Sequence, residues 1–286
     1  MLLNMSDLLS VAKKNHFAVP AFNVGSSEIL KGVMESCEEK GSPVIIQIHP
    51  AELEFAGDSF AHMVAAEAEK THIPVVLHLD HGGTVDEIMR AVRNGFTSVM
   101  IDASSYPYEE NVRRVKEVAA LVHPLNLSVE AELGTIGSTG NGAEAGNNKI
   151  IYTDPGQAVE FVKETGTDTL AVAIGTAHGI YPKDMKPELK LDLLRELAEA
   201  IDIPLVLHGG SANPDKEIEE SVEIGISKVN IASDIKAAFF EGCRNVLADQ
   251  EIREPHEVYG KAMPWMKQVV SHKIDLLHAA GKAGLY

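Results

Sequence analysis

Short apolar runs rich in Val, Ile and Leu recur along the chain at 18–24, 43–48, 74–79, 98–101, 127–133, 169–174, 204–207 and 228–231. Several, such as 43–48, are apolar nearly throughout rather than alternating, as expected for strands covered on both faces. Between the runs the spacing switches to a helical period. Ile29, Leu30, Val33, Met34 and Cys37 form one apolar face after the capping-type residues Ser26 and Ser27. Val85, Ile88, Met89 and Val92 repeat the pattern up to the stop signal Asn94-Gly95, as do Val112, Val115, Val118, Ala119 and Val122, and then Ile218, Val222 and Ile224 before Gly225. Strand and helix alternate eight times, and right-handed crossovers then close a parallel barrel. The expected fold is a (β/α)8 TIM barrel spanning 1–286 as one catalytic domain. A short N-terminal helix at 8–16 plugs the barrel bottom. An extra C-terminal helix at 256–280 carries Met263, Met266, Val269, Val270, Ile274 and Leu277 on its apolar side. A doubly wound open sheet is the alternative, but no GxGxxG follows the first strand.

With 286 residues, 45% hydrophobic and 23% charged, the composition is that of a soluble globular protein with a full-sized core. No apolar stretch approaches the roughly 20 residues of a membrane span, and Met1-Leu-Leu-Asn-Met-Ser-Asp7 shows no secretory pattern. A net charge of −17 opposes a nucleic-acid or anionic-membrane partner. Cys37 and Cys243 lack CxxC spacing and read as buried free thiols, which fits a cytoplasmic location.

Three histidines each close an apolar run: Pro74-Val-Val-Leu-His-Leu-Asp80-His81-Gly82, Leu170-Ala-Val-Ala-Ile-Gly-Thr-Ala-His178-Gly179 and Pro204-Leu-Val-Leu-His208-Gly209-Gly210-Ser211. Barrel loops at the strands' C-terminal ends open onto one rim, so His81, His178 and His208 can converge there. Three imidazoles with one open position are what a catalytic Zn²⁺ needs. His78 lies one residue deeper and reads as a packed or supporting residue. Asp80 is open to three roles: general acid/base, orienter of a histidine, or helix cap. Asp102 and Glu132 end strands on the same rim, and Glu130 shares a face with Glu132. Asp102 and Glu132 are candidates for a second metal position or for support of the first. The loops after strands seven and eight, Gly209-Gly210-Ser211 and Asn230-Ile231-Ala232-Ser233, offer backbone N–H groups where many barrels bind phosphate. The glycine-rich stretch 134–148 follows a strand at this rim and reads as a lid or as a plain surface loop.

These motifs resemble the class II, zinc-dependent ketose-bisphosphate aldolases, and within them the tagatose-1,6-bisphosphate aldolase branch. The resemblance runs from Phe17-Ala-Val-Pro-Ala-Phe-Asn23 to Ala279-Ala-Gly-Lys-Ala283. It is carried by His78-Leu-Asp-His81-Gly82, Ser98-Val-Met-Ile-Asp-Ala-Ser104, Ser128-Val-Glu-Ala-Glu-Leu-Gly134 and the His178 and His208 motifs. It implies Asp80 as catalytic acid/base and His81, His178 and His208 as zinc ligands. It also implies an alternative metal site at Asp102 and Glu132, and binding of a dihydroxyacetone-phosphate half by Gly179, Gly209, Gly210, Ser211, Asn230, Ile231, Ala232 and Ser233. Implied ions are Zn²⁺ and a candidate monovalent cation, the partner a small phosphorylated sugar, and the assembly a homodimer or homotetramer. Two features depart from the family. The stretch Gly137-Ser-Thr-Gly-Asn-Gly-Ala-Glu144 lacks the usual Gly-Gly-x-Glu-Asp, leaving Glu144 as the substitute, and Lys236 stands where fructose-specific relatives often carry Arg.

The preferred activity is therefore reversible aldol cleavage of tagatose- or fructose-1,6-bisphosphate, with another phosphorylated ketose or acid sugar as the alternative. Lys228 is placed at the start of its strand on the opposite rim, so no Schiff-base lysine is expected in the site. A metal-dependent barrel hydrolase would want an early-strand His-x-His, whereas strand one ends Ala21-Phe-Asn-Val24. A non-catalytic phosphosugar-binding barrel leaves the Asp80–His81 pair without a purpose.

Overall fold

A computed structural model describes residues 1–138, 150–179 and 188–286. Its strands are β1 (Val19–Asn23), β2 (Val44–Ile48), β3 (Val75–Gly82), β4 (Ser98–Ile101), β5 (Ser128–Leu133), β6 (Gly137–Ser138), β7 (Thr169–Val172), β8 (Ala177–His178), β9 (Leu205–Leu207) and β10 (Ile226–Ile231). A closed barrel runs in the order β1-β10-β9-β7-β5-β4-β3-β2, every pair parallel. Because β1 pairs with both β2 and β10, the sheet has no edge, and the open doubly wound alternative is excluded. The fold is a (β/α)8 TIM barrel. The short strands β6 and β8 pair with each other outside the barrel, so His178, read from sequence as closing the apolar run from Leu170, lies on β8 and not at the end of barrel strand β7.

The helices are α1 (Met5–Lys14), α2 (Ser27–Lys40), α3 (Pro50–Ala56), α4 (Asp58–Lys70), α5 (Val85–Arg93), α6 (Tyr108–Val122), α7 (Pro155–Thr165), α8 (Leu191–Ala200), α9 (Asp215–Ile224), α10 (Ser233–Val246) and α11 (Pro255–Leu276). Their buried faces are the ones the period predicts: Ile29, Leu30, Val33, Met34 and Cys37 on α2, and Val112, Val115, Val118, Ala119 and Val122 on α6. Ser26 caps α2 by accepting from the Ile29 N–H, and Thr84 with Glu87 forms a capping box on α5. The β2–β3 connection holds two helices, α3 and α4, rather than one. α1 closes the barrel bottom, where the Ser6 N–H donates to Ser128 Oγ and Leu2 bridges to Val75. α11 packs against α10 and α2 with Met263, Met266, Val270 and Ile274 buried. Cys37 and Cys243 are buried free thiols. No helix among the described residues is long and apolar enough to cross a membrane. Glu144 and most of the glycine-rich stretch proposed as a lid lie outside the described residues.

Candidate active site

The site begins with an irregularity in β3. Leu79 pairs with Val99, but the next pairing is Gly82 with Ile101, so β3 carries one extra residue against β4. His81 takes up that residue with a φ of 51°, a left-handed conformation rare outside glycine. In a regular strand Asp80 and His81 would point to opposite faces. The bulge instead re-aims the chain, and both side chains reach one place at the C-terminal rim. Ligand atoms of Asp80, His81 and His208 all lie within 4.8 Å of one another, and His81, Asp102 and Glu132 form a second such group.

Asp80 is fully buried and held by two amides. Asn23 Nδ2 donates to Oδ2 at 2.7 Å, and Asn230 Nδ2 donates to Oδ1 at 3.2 Å. Gln47 Nε2 in turn donates to Asn23 Oδ1 at 3.0 Å, which fixes the Asn23 amide in the orientation that donates to Asp80. Neither Asn23 nor Gln47 was singled out from sequence. Their only signal was a lone amide in an otherwise apolar barrel strand.

Both histidines meet carboxylates. Nδ1 of His81 lies 2.8 Å from Asp102 Oδ2, and Asp102 Oδ1 accepts from the Ser104 N–H and hydroxyl. Burial pushes the Asp102 carboxyl up, but the contacts from His81 and Ser104 outweigh it and hold it well below the usual carboxylate range. Nε2 of His208 lies 2.8 Å from Glu130 Oε1, and its Nδ1 is 3.3 Å from Glu132 Oε2. The imidazoles of His81 and His208 meet edge to face with centroids 4.8 Å apart. Burial opposes a charge on His208, but the carboxylates of Glu130 and Glu132 push its pKa up to about 9. His78, as read from sequence, is packed deeper: it is fully buried, with Nδ1 2.9 Å from Ser98 Oγ, and burial with nearby Lys228 pushes its pKa down to about 3.

Lys228 corrects the sequence reading. Its strand begins at Ile226, and its side chain lies fully buried inside the barrel with Nζ 2.7 Å from Glu130 Oε2. A barrel-strand lysine is therefore present, though in an ion pair and not facing an open site. Burial pushes the Glu130 carboxyl up; Lys228 and His208 reverse this and keep it far below its ordinary range.

The phosphate-loop candidates also converge. The Gly210 N–H donates to the Asn230 carbonyl at 3.0 Å, and the Ala232 N–H donates to Ser211 Oγ at 3.3 Å. Gly209 has a φ of 63° and a Cβ there would stand 2.7 Å from the Ala177 carbonyl oxygen, so the loop after β9 lies directly on β8. His178 is placed by its backbone, paired through β8 to Ser138, with Gly179 following at φ 98°. Ile231 ends β10, and Ser233 opens α10. Lys236, on α10, is in a close ion pair with Glu52 of α3.

Whether these residues fit a metal is answered by their donor set. Nδ1 of His81 and Nε2 of His208 are committed to carboxylates, which makes Nε2 of His81 and Nδ1 of His208 the candidate ligand atoms. Glu132 Oε2 is buried beside them without a well-aligned hydrogen bond among the described residues. Imidazoles each backed by a carboxylate, next to a buried carboxylate oxygen short of a donor, fit a divalent cation.

Residues 3–282 match the family described as fructose-bisphosphate aldolase class-II. The chain is similar to the crystal structure of the YdjI aldolase from Escherichia coli K12, at 35% identity and a TM-score of 0.86, covering 99% of this chain and 100% of that one. It is also similar to a putative fructose-1,6-biphosphate aldolase from Coccidioides immitis, at 28% identity and a TM-score of 0.91 with 99% of each chain covered. The fold, at 23% identity, is shared with fructose-bisphosphate aldolase from Campylobacter jejuni, at a TM-score of 0.83 with 98% and 96% covered. The chain belongs to the class-II fructose-bisphosphate aldolase family. Membership makes it a lyase of the aldolase type, and the activity it supports is aldol cleavage of a phosphorylated ketose.

Proposed function

We propose that the protein catalyses zinc-dependent, reversible aldol cleavage of a ketose bisphosphate, tagatose-1,6- or fructose-1,6-bisphosphate, to dihydroxyacetone phosphate and an aldehyde such as glyceraldehyde 3-phosphate. The observation that carries this reading is the buried Asp80 carboxylate, oriented by Asn23 and Asn230, with an oxygen within 4.8 Å of a ring nitrogen of both His81 and His208. His81, His208 and His178 would hold the Zn²⁺, with Asp102, Glu130 and Glu132 behind them. When bound, the ion supplies Lewis-acid polarisation of the substrate ketone.

The remaining chemistry belongs to the chain. Asp80 takes the proton from the C4 hydroxyl as the C3–C4 bond breaks, C4 becomes the aldehyde carbon, and the bonding pair passes to C3 of the three-carbon half. That half takes up a proton from solvent at C3 to leave as dihydroxyacetone phosphate, while Asp80 releases its own to solvent. In condensation Asp80 returns a proton to the C4 oxygen. Asn23 and Asn230 each donate to it, which keeps both carboxylate oxygens in position without donating a competing proton. Gly179 and the loops Gly209–Ser211 and 230–233 bind the phosphate of the three-carbon half, and the N-terminus of α10 adds partial positive charge. This positions the scissile bond beside Asp80.

The Lys236–Glu52 pair favours a second reading within the same chemistry, in which the sugar's far end carries no phosphate and Lys236 only braces α10 against α3. The test is a coupled assay for triose phosphate released from several ketose 1-phosphates and 1,6-bisphosphates, with and without chelator. Cleavage should stop with chelator and return with Zn²⁺. Chelator-insensitive cleavage would remove the metal from the reading, and no triose phosphate from any ketose phosphate would overturn it.

A further inference from the structure

The barrel interior contains a charged chain of contacts that direct chemistry does not use. Lys228 of β10 reaches across to β5, three strands away past β9 and β7, and its Nζ donates to Glu130 Oε2 at 2.7 Å. The other oxygen, Oε1, lies 2.8 Å from Nε2 of His208 at the end of β9. Lys228, Glu130 and His208 are all fully buried. Replacing a buried ion pair by apolar side chains of similar volume is often neutral or stabilising, so the pair is not explained by stability. Nor does Lys228 point at an open position where a carbonyl substrate would sit.

We propose that Lys228 is a positioning residue for the metal site, acting through Glu130 on His208. This rests on the metal-site reading given above. An ammonium can only donate, so Glu130 Oε2 must accept from it, and this fixes the plane of the carboxylate with Oε1 toward His208. The carboxylate then accepts from Nε2–H, which sets the His208 tautomer and leaves Nδ1, 3.3 Å from Glu132 Oε2, as the ligand atom. His78 sits on the same carboxylate, with Nε2 3.9 Å from Oε2, and Ser98 holds its other nitrogen. In the absence of Lys228 the carboxylate could rotate toward His78, and His208 would lose the acceptor that defines its tautomer.

Two variants test this: Lys228→Met, which keeps the length of the side chain, and Lys228→Met with Glu130→Gln, which removes both charges and so avoids a lone buried carboxylate. Zn²⁺ affinity is measured by competition with a chelating dye on metal-free protein, and the His208 tautomer by ¹⁵N-histidine NMR of the metal-free protein above pH 9, where the ring carries a single proton. Wild type should bind Zn²⁺ with His208 as the Nε2–H form. Each folded variant should bind about 10–100-fold more weakly, the scale of lost support behind a metal ligand, and show mixed tautomers. Wild-type affinity with an unchanged tautomer in either variant would overturn the role of Lys228 while leaving the metal site standing. Failure of the wild-type protein to bind Zn²⁺ would overturn the metal-site reading and this inference with it.

Discussion

Nδ1 of His81 lies 2.8 Å from Oδ2 of Asp102 because β3 holds one residue more than β4 between their last two pairings. The bulge gives His81 its left-handed backbone and at the same time brings its ring against the next strand's carboxylate. Asp102→Asn removes the charged acceptor but not the side-chain shape. Metal affinity should fall about 10–100-fold with one metal equivalent still bound. If Asp102 were itself a ligand of a second ion, the variant would lose one of two metal equivalents outright, which elemental analysis would show.

Asp80→Ala should retain metal and lose turnover by about 10²–10⁴-fold, the scale of general acid–base catalysis. It also deprives the amides of Asn23 and Asn230 of their acceptor, at roughly 1–3 kcal/mol for each donor left buried. A lower Tm with intact metal content and lost kcat is the expected combination. Loss of the metal with proton transfer unaffected would make Asp80 a supporting residue.

His208 predicts a pH dependence whose sign can be worked out. Its folded pKa is raised to about 9 from an ordinary 6.5 in metal-free protein. The stabilisation is fully present below pH 6.5 and is lost as pH rises through 9. A metal ligand must be deprotonated, so Zn²⁺ binding releases this proton and apparent affinity should rise with pH until about 9. Thermal melts of metal-free protein and Zn²⁺ titrations across pH 6–10 check both slopes. His208→Ala should flatten both and lower bound zinc and cleavage by orders of magnitude, and stoichiometric zinc with full activity in that variant would end the assignment.

Lys236→Met examines the far end of the substrate. If Lys236 exchanges Glu52 for a phosphate on binding, kcat/KM for a 1,6-bisphosphate should fall about tenfold, near the low end of a charge-assisted hydrogen bond, with little change for a ketose 1-phosphate. Equal losses on the two substrates would leave Lys236 as a brace between α10 and α3. Negligible wild-type turnover of any bisphosphate would favour the reading without a far phosphate.

Much of this molecule was legible in the sequence because it depends on local periodicity. Apolar runs and helical faces predicted every barrel strand to within a few residues, and the terminal Asp80-His81, His178 and His208 motifs marked one rim. The stretch that ends β3 already contained the histidine and the carboxylate; that both face the site follows from a bulge that appears only when β3 is paired with β4. The same limit hid Lys228. Lys228-Val-Asn-Ile231 alternates, which puts Lys228 on one face with Asn230, but only the closed pairing shows that this face points into the barrel.

Closure of the barrel decided the rest. Asn23 meets Asp80, Asn230 meets Asp80, and Lys228 meets Glu130 across 57, 150 and 98 positions of sequence. These contacts depend on strand order and register, where a shift of one residue would turn each side chain to the other face. The sequence by itself determined the elements and their alternation, and it marked Asp80, His81 and His208, whose ligand atoms the fold brings together. Only the tertiary structure decided which amides orient Asp80, that Lys228 lies within the barrel, and that Glu52 takes the charge of Lys236.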